Sequence, residues 1–188
     1  VVLESTSPVG TSRVLSERLA ALRPELIFPH QSDSPDVYIA YCPERVIPGR
    51  TLIELVENDR VIGGLSEACT QRAIQFYKGF VNGLCRGCAA ELAEMAKLAE
   101  NAYRDVNIAF ANELSSLADH FEVDVWELID AANLHPRVDI LNPGPGVGGH
   151  CIAVDPWFLY HASSDRAQLI LKARQVNDLQ PKRVADKM

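Results

Sequence analysis

From Ala89 to Phe121 the sequence contains neither glycine nor proline and is rich in alanine, leucine and glutamate. Along it Leu92, Met95, Ala99, Ala102, Tyr103, Val106, Phe110, Leu114, Leu117 and Phe121 recur with the spacing of one face of an α-helix. The pattern predicts a single helix of about thirty residues, on the order of 45 Å long at 1.5 Å per residue. Such a rod is longer than the usual globular helix, so the rest of the chain must be arranged around it. A helix of this length in a small domain often supports a face between subunits.

The residues ahead of the helix read differently. Val1–Leu3 is a short strand of buried type, Ser5–Gly10 a turn, and Thr11–Leu22 a helix with Val14, Leu15, Leu19 and Leu22 in helical register. Val37–Tyr41 is a second strand, ended by Cys42-Pro-Glu-Arg-Val-Ile-Pro-Gly49. Arg60–Gly64 is a third, Ser66 opens a helix carrying Ala73, Ile74, Phe76 and Tyr77, and a short apolar run follows at Phe80–Leu84. Alternating strands and helices imply parallel βαβ units, whose ligand sites lie beyond the C-terminal ends of the strands. Thr6 and Glu44 both fall just past such ends. The fold class expected is α/β: part of a Rossmann-like parallel-sheet domain over 1–89, then an all-helical domain over 90–188. In the second part Asp124-Val-Trp-Glu127 resembles a capping box that starts a helix running to Ala132. Ala167–Val176 is another helical pattern, broken or kinked by Pro181.

Composition narrows the function. The 188 residues are 47% hydrophobic, enough to bury a core or two. A net charge of −7 argues against a general nucleic-acid surface. No apolar stretch approaches the roughly 20 residues of a membrane span, and no leader pattern is visible, so no membrane partner is expected. The five cysteines, Cys42, Cys69, Cys85, Cys88 and Cys151, are an odd set without framework spacing, which fits reduced thiols in the cytoplasm. Cys85-Arg-Gly-Cys88 is a CxxC with no second pair to complete a zinc site. The sequence opens without methionine, in what reads as a strand already under way, as a piece of a longer chain would.

One loop concentrates chemistry. Asn142-Pro-Gly-Pro-Gly-Val-Gly-Gly-His-Cys-Ile-Ala-Val-Asp-Pro156 combines stiffening prolines with glycines that permit close approach to a ligand. It ends in Cys151, with Asp155 four residues on. The bland alternative is a turn with a buried cysteine. Gly144, Gly146 and Gly149 match GxGxxG formally, but no convincing strand precedes them and Pro156 interrupts an early helix, so the dinucleotide fingerprint is rejected here.

Several polar residues could act with Cys151. Lys97 and Asn101, four apart, share a face of the long helix with Arg104 one turn further; a solvated polar stripe is the alternative. Asn112-Glu113 interrupts an apolar run, although Asn is a poor helix former. Glu44, in a loop shaped by Pro43 and Pro48, suits a general base or a surface pair with Arg45. His135-Pro-Arg137 offers two anion ligands or an ordinary basic turn. An ammonium near a thiol of ordinary pKa, about 8.5, would raise its thiolate fraction. Lys97 and Asn101 could also stabilise an oxyanion, where one donor is typically worth about 2.7–4 kcal/mol.

The ordered motifs Glu4-Ser-Thr-Ser-Pro-Val-Gly10, Cys42-Pro-Glu-Arg45, Ala90-Glu-Leu-Ala-Glu-Met-Ala-Lys-Leu-Ala-Glu-Asn101, Asn112-Glu113 and Gly146-Val-Gly-Gly-His-Cys151 resemble those of the UDP-sugar 6-dehydrogenases, the UDP-glucose dehydrogenase superfamily. The match runs through essentially the whole chain. The resemblance implies an NAD-binding Rossmann domain whose GxGxxG unit would precede Val1, and a central domain built on a helix that forms a homodimer. It implies two oxidations of a sugar C6 alcohol to a carboxylate with two NAD. Cys151 would be the nucleophile that carries a thiohemiacetal and then a thioester. Lys97 and Asn101 would hold the reacting oxygen or a water, Asp155 the same water network, and Glu44 would serve thioester hydrolysis. Thr6 would lie near the nicotinamide, and Arg137 would reach the substrate of the neighbouring subunit. Arg45, Val46, Lys97, Asn101, Arg104, His135 and Gly148 would line the UDP-sugar site. Pro48, His150 and Val154 stand where UDP-glucose enzymes carry a glutamate, a small residue and a lysine. These departures favour an N-acetylated UDP-hexose, UDP-N-acetyl-D-mannosamine ahead of UDP-N-acetylglucosamine and UDP-glucose.

Two other readings remain. The stretch alone could be an inactive oligomerisation module of a larger enzyme. A thiol hydrolase using Cys151 and His150 is disfavoured, because adjacent residues rarely present their side chains to one another.

Overall fold

A computed structural model describes residues 1–47 and 49–188. Eleven helices and strands follow one another among these residues: β1 (Val2–Leu3), α1 (Thr11–Leu22), β2 (Ala40–Tyr41), α2 (Thr51–Glu57), β3 (Arg60–Gly64), α3 (Glu67–Tyr77), β4 (Cys85–Ala89), α4 (Ala90–His120), α5 (Val125–Asn133), α6 (Asp155–Ala162) and α7 (Gln168–Lys187). They form two compact units, Val1–Lys97 and Leu98–Met188.

The first unit is a four-stranded sheet in the order β1-β2-β3-β4. β1 pairs with β2, and β3 with β4, in parallel, as expected for βαβ units. β2 and β3 are antiparallel, with Ala40 opposite Gly64, so the Rossmann-like sheet is rich in parallel pairs and carries one antiparallel step. The helix between β2 and β3, α2, is only seven residues long. The usual full crossover helix is thus missing. Beneath the sheet Ala40, Cys42, Ile62, Ala73, Tyr77 and Val81 form the core. Sheet and helix approach so closely that a Cβ on Gly64 would lie 2.3 Å from the Thr70 nitrogen, so only glycine fits. Thr70 Oγ1 instead accepts the Gly64 N–H at 3.1 Å. Ser66 caps α3 by accepting the Cys69 N–H.

In the second unit α5 starts where its cap predicts: the Asp124 carboxylate accepts the Trp126 and Glu127 N–H groups at 2.7 and 3.2 Å. α7 continues through Pro181 to Lys187, so of the two outcomes expected at this proline, a break or a kink, the break does not occur. α6 begins at Asp155 with Pro156 in its first turn, where the missing N–H has no helical partner to lose. Pro156 therefore opens a helix rather than preventing one. The rejected GxGxxG still fails, because 142–150 follows no strand.

The helix predicted over 89–121 is present as α4, and its two faces divide the side chains by size. Ala90, Ala93, Glu94, Leu98, Ala102, Asp105, Ala109, Asn112 and Ala118 are buried. Leu92, Met95, Tyr103, Phe110 and Leu117 are 47–72% exposed. The large apolar stripe read from the sequence thus faces outward, and the face of small and polar residues packs inward.

Candidate active site

In the first unit, paired strands bring two of the expected residues to one edge. β1 and β2 are neighbours and parallel, so the segments leaving their C-terminal ends start side by side. The Glu44 N–H donates to the Glu4 carbonyl at 3.2 Å. Thr6 is half-buried on the first segment, and Glu44 is exposed on the second, with Arg45 and Val46 half-buried beside it. The Glu44 carboxylate accepts the Val46 N–H, and the Arg45 carbonyl accepts from Asn58 Nδ2. The Pro48 departure lies outside the described residues. The segment after β1 is fastened from α4. Glu94, fully buried, accepts the Gly10 N–H at 2.5 Å, the Ser12 N–H at 2.8 Å and the Ser12 hydroxyl at 2.7 Å. These donors belong to the N-terminus of α1, where partial positive charge offsets a carboxylate. Sequence reasoning passed over Glu94. Its signal was an acidic residue in register with Leu98 and Ala102 rather than with the charged face.

In the second unit the structure gathers Asn101, Cys151 and Asp155. Asn101 Nδ2 donates to Asp155 Oδ2 at 2.5 Å. The Asp155 and Val154 N–H groups donate to the Cys151 carbonyl at 2.8 and 3.1 Å. Asp155 is 4% exposed at the start of α6, a favourable end for a carboxylate. Cys151 itself is exposed; Cys42 and Cys69 are buried, and Cys85 and Cys88 lie between. Burial pushes the Cys42 and Cys88 thiols up. Cys85 and Cys88 are three apart on β4, hence on opposite faces and about 10 Å apart, beyond disulfide reach. Among the described residues no cluster of His, Cys, Asp or Glu suits a metal.

The remaining residues of the expected site stand at the surface of this unit or on α4. Arg104, His135, Arg137, Gly148 and His150 are exposed, and Lys97 is half-buried one turn before Asn101. His135 and Arg137 sit in a loop closed by the Asn133 amide, which donates to the Ile140 carbonyl at 3.1 Å and accepts the Ile140 N–H at 2.7 Å.

A buried polar network underlies the cysteine loop. Asn112 Oδ1 accepts the Gly144 N–H at 2.9 Å, and Asn112 Nδ2 donates to Asn177 Oδ1 at 2.9 Å. Asn177 Nδ2 donates to Asp105 Oδ1 and to the Asp105 carbonyl, at 2.8 and 3.0 Å. Arg174 donates to Asp105 at 2.6 Å and to Asp178. Burial raises the Asp105 carboxyl above its ordinary value, and Asn177 and Arg174 only partly offset this. Asn112 interrupts an apolar run in the sequence, whereas no motif singles out Asp105, Arg174 or Asn177.

Models of one family match both units: its NAD binding domain over residues 1–81 and its central domain over 91–179. The chain belongs to the UDP-glucose/GDP-mannose dehydrogenase family. It is 59% identical over its whole length to an NDP-N-acetyl-D-galactosaminuronic acid dehydrogenase of Ralstonia nicotianae, covering 45% of that protein. Identity to the UDP-N-acetyl-D-mannosamine dehydrogenase of Escherichia coli K12 is 56%, with the same coverage. The solved UDP-D-ManNAc dehydrogenase of Pyrococcus horikoshii superposes with a TM-score of 0.90 at 44% identity, covering 99% of this chain and 43% of that one. The chain thus spans about half the length of the curated relatives it matches. Among the described residues no helix is long and apolar enough to cross a membrane.

Proposed function

We propose that the protein carrying this chain is a cytoplasmic, NAD-dependent UDP-N-acetyl-D-mannosamine 6-dehydrogenase, with residues 1–89 completing its Rossmann-like domain and 90–188 forming the central domain. The observation that carries the reading is the Asn101–Asp155 hydrogen bond at the root of the loop presenting Cys151. The N-acetylated sugars in the names of the similar proteins support the substrate, and the odd set of thiols supports the compartment.

The residues of the first unit fit a dinucleotide. Thr6 follows the end of a parallel strand, and beside it the buried Ser7 hydroxyl has no partner. Thr6 would lie against the nicotinamide, and NAD supplies the acceptor for the hydride lost from C6 in each of two oxidations. The other work falls to the chain. Lys97 and Asn101 hold the C6 oxygen as its proton leaves. The Cys151 sulfur adds to the aldehyde carbon, giving a thiohemiacetal whose oxidation leaves a thioester. Water, oriented by Asp155 and activated by Glu44, adds to the thioester carbonyl; the carbon–sulfur bond breaks, and the acid and the thiol are released. Arg45, Val46, Arg104, His135 and Gly148 bind the nucleotide sugar, with Arg137 reaching it from the neighbouring subunit.

Full-length Cys151→Ser is expected to form no uronic acid from UDP-N-acetyl-D-mannosamine, followed by product chromatography. Ordinary turnover by that variant removes the assigned nucleophile. Parallel assays with the UDP-linked N-acetylglucosamine, N-acetylgalactosamine and glucose substrates test the sugar.

The outward stripe of α4 supports a homodimer, since large apolar side chains in one row are the usual mark of an interface. Phe110→Glu is expected to shift the light-scattering mass from dimer to monomer, and an unchanged dimer moves the interface elsewhere.

A further inference from the structure

The relay under the cysteine loop has one direction. The Gly144 N–H can only donate, so Asn112 must present its oxygen there and its nitrogen to Asn177. Asn177 must then present its oxygen to Asn112 and its nitrogen to Asp105. Both amide orientations are fixed by their partners. Asn112, Asn177, Asp105 and Arg174 are each at most 2% exposed. The relay is an expensive way to fill a core, because Asp105 Oδ2 and Arg174 Nε are buried without partners. Apolar side chains of the same shape would serve stability equally well. What they could not do is hold a backbone N–H of a loop at a defined place. A second restraint lies two residues on: a Cβ at Gly146 would meet the Pro181 ring of α7 at 3.1 Å.

We propose that Asn112 is a positioning residue for the Cys151 loop, holding Gly144 through a relay that ends on the Asp105–Arg174 pair. Asn112 acts through the loop and touches no reacting atom. The proposal rests on the reading of Cys151 as nucleophile only for its kinetic consequence. The placement of the loop can be measured without turnover.

The test uses the full-length protein with Asn112→Leu, which removes both hydrogen bonds, and Asn112→Asp, which keeps the acceptor for Gly144. In Asn112→Leu, amide exchange over 142–155 is expected to lose protection while the rest of the chain keeps it. The kcat should fall on the order of ten- to a hundredfold, the effect of a small misplacement of a reacting group, with the KM for NAD within about twofold of wild type. In Asn112→Asp the neutral carboxyl reproduces the amide pattern, accepting from Gly144 and donating to Asn177, whereas the carboxylate has no proton to donate. Its kcat relative to wild type should therefore approach one toward acid pH and fall as pH rises. Wild-type exchange over 142–155 in Asn112→Leu overturns the proposal. Should that variant fail to fold, Asn112→Asp decides, and the same kcat ratio at every pH overturns it. Turnover by Cys151→Ser overturns the nucleophile instead, and the exchange result still judges Asn112.

Discussion

Each compact unit fastens a loop with a buried polar side chain from α4, and the two fastenings are chemically unlike. In the first, Glu94 brings a full charge and meets three donors at the start of α1. In the second, Asn112 brings a neutral amide and meets the single N–H of Gly144. The difference follows from what each loop offers. A helix N-terminus supplies several unpaired N–H groups and a favourable dipole, so a carboxylate can be buried against it. An extended glycine loop supplies one N–H and no dipole. There a carboxylate would keep lone pairs without donors, and the charge sits further along the relay, beside Arg174.

The comparison can be broken at its most costly joint. Arg174→Met leaves the Asp105 carboxylate buried without its cation and is expected to destabilise the fold by about 3–5 kcal/mol in chemical denaturation. The sign with pH is definite. Asp105 is already raised from 3.8, and losing Arg174 removes one of the groups that holds it down. A carboxyl raised in the folded state favours folding while it is protonated, and that contribution is lost as pH rises through the raised value. The penalty should thus be smallest in acid and grow toward neutrality. A pH-independent penalty would mean that Asp105 does not titrate with the fold.

Glu94→Gln keeps the shape of the first fastening and removes its charge. Hydrogen bonds to charged groups are worth about 1.5–3 kcal/mol, and the amide nitrogen must also confront one of the N–H groups of Gly10 and Ser12. A loss of roughly 2 kcal/mol is expected, with amide protection falling first over 5–13. No loss would mean that the α1 terminus does not need an anion. The smallest effect belongs to Glu91, one turn earlier, whose carboxylate meets Arg13 at 2.9 Å at the surface. Its pKa is lowered by hydrogen bonding from its own backbone and from Arg13, so its contribution is present above the ordinary carboxylate value and is lost as pH falls through the lowered one. Glu91→Gln should cost between about 0 and 1 kcal/mol at neutral pH, and a larger loss would make the bridge part of the Glu94 fastening.

What could be read from the sequence was what local rules govern. The α1 span, β3, the Ser66 and Asp124 caps and the long helix follow from spacing and cap chemistry within a few residues of each position. β4 escaped notice because Cys85-Arg-Gly-Cys-Ala89 has little intrinsic strand character. Its pairing with all five residues of β3 makes it a strand. The antiparallel step between β2 and β3 depends on how far a connection travels, which periodicity does not record. Pro156 was misjudged because a proline forbidden inside a helix is welcome in its first turn. On α4 the apolar pattern was legible, but its direction was not: the pattern says that a stripe exists, and packing decides which face turns inward. At the site, Cys151, Asn101 and Asp155 stand out as residue types in a motif. The relay beneath them joins the loop, α4 and α7 through residues 32 to 72 positions apart, whose partners only the fold reveals.

Pro181 has a consequence for how α7 comes apart. Its ring nitrogen bears no hydrogen, so it cannot donate to the carbonyl of Asn177, four residues earlier. One rung of the helical ladder is therefore absent beside the middle member of the relay. Helical order on the two sides of Pro181 is therefore coupled through one hydrogen bond fewer, and Asn177 sits at that weaker junction.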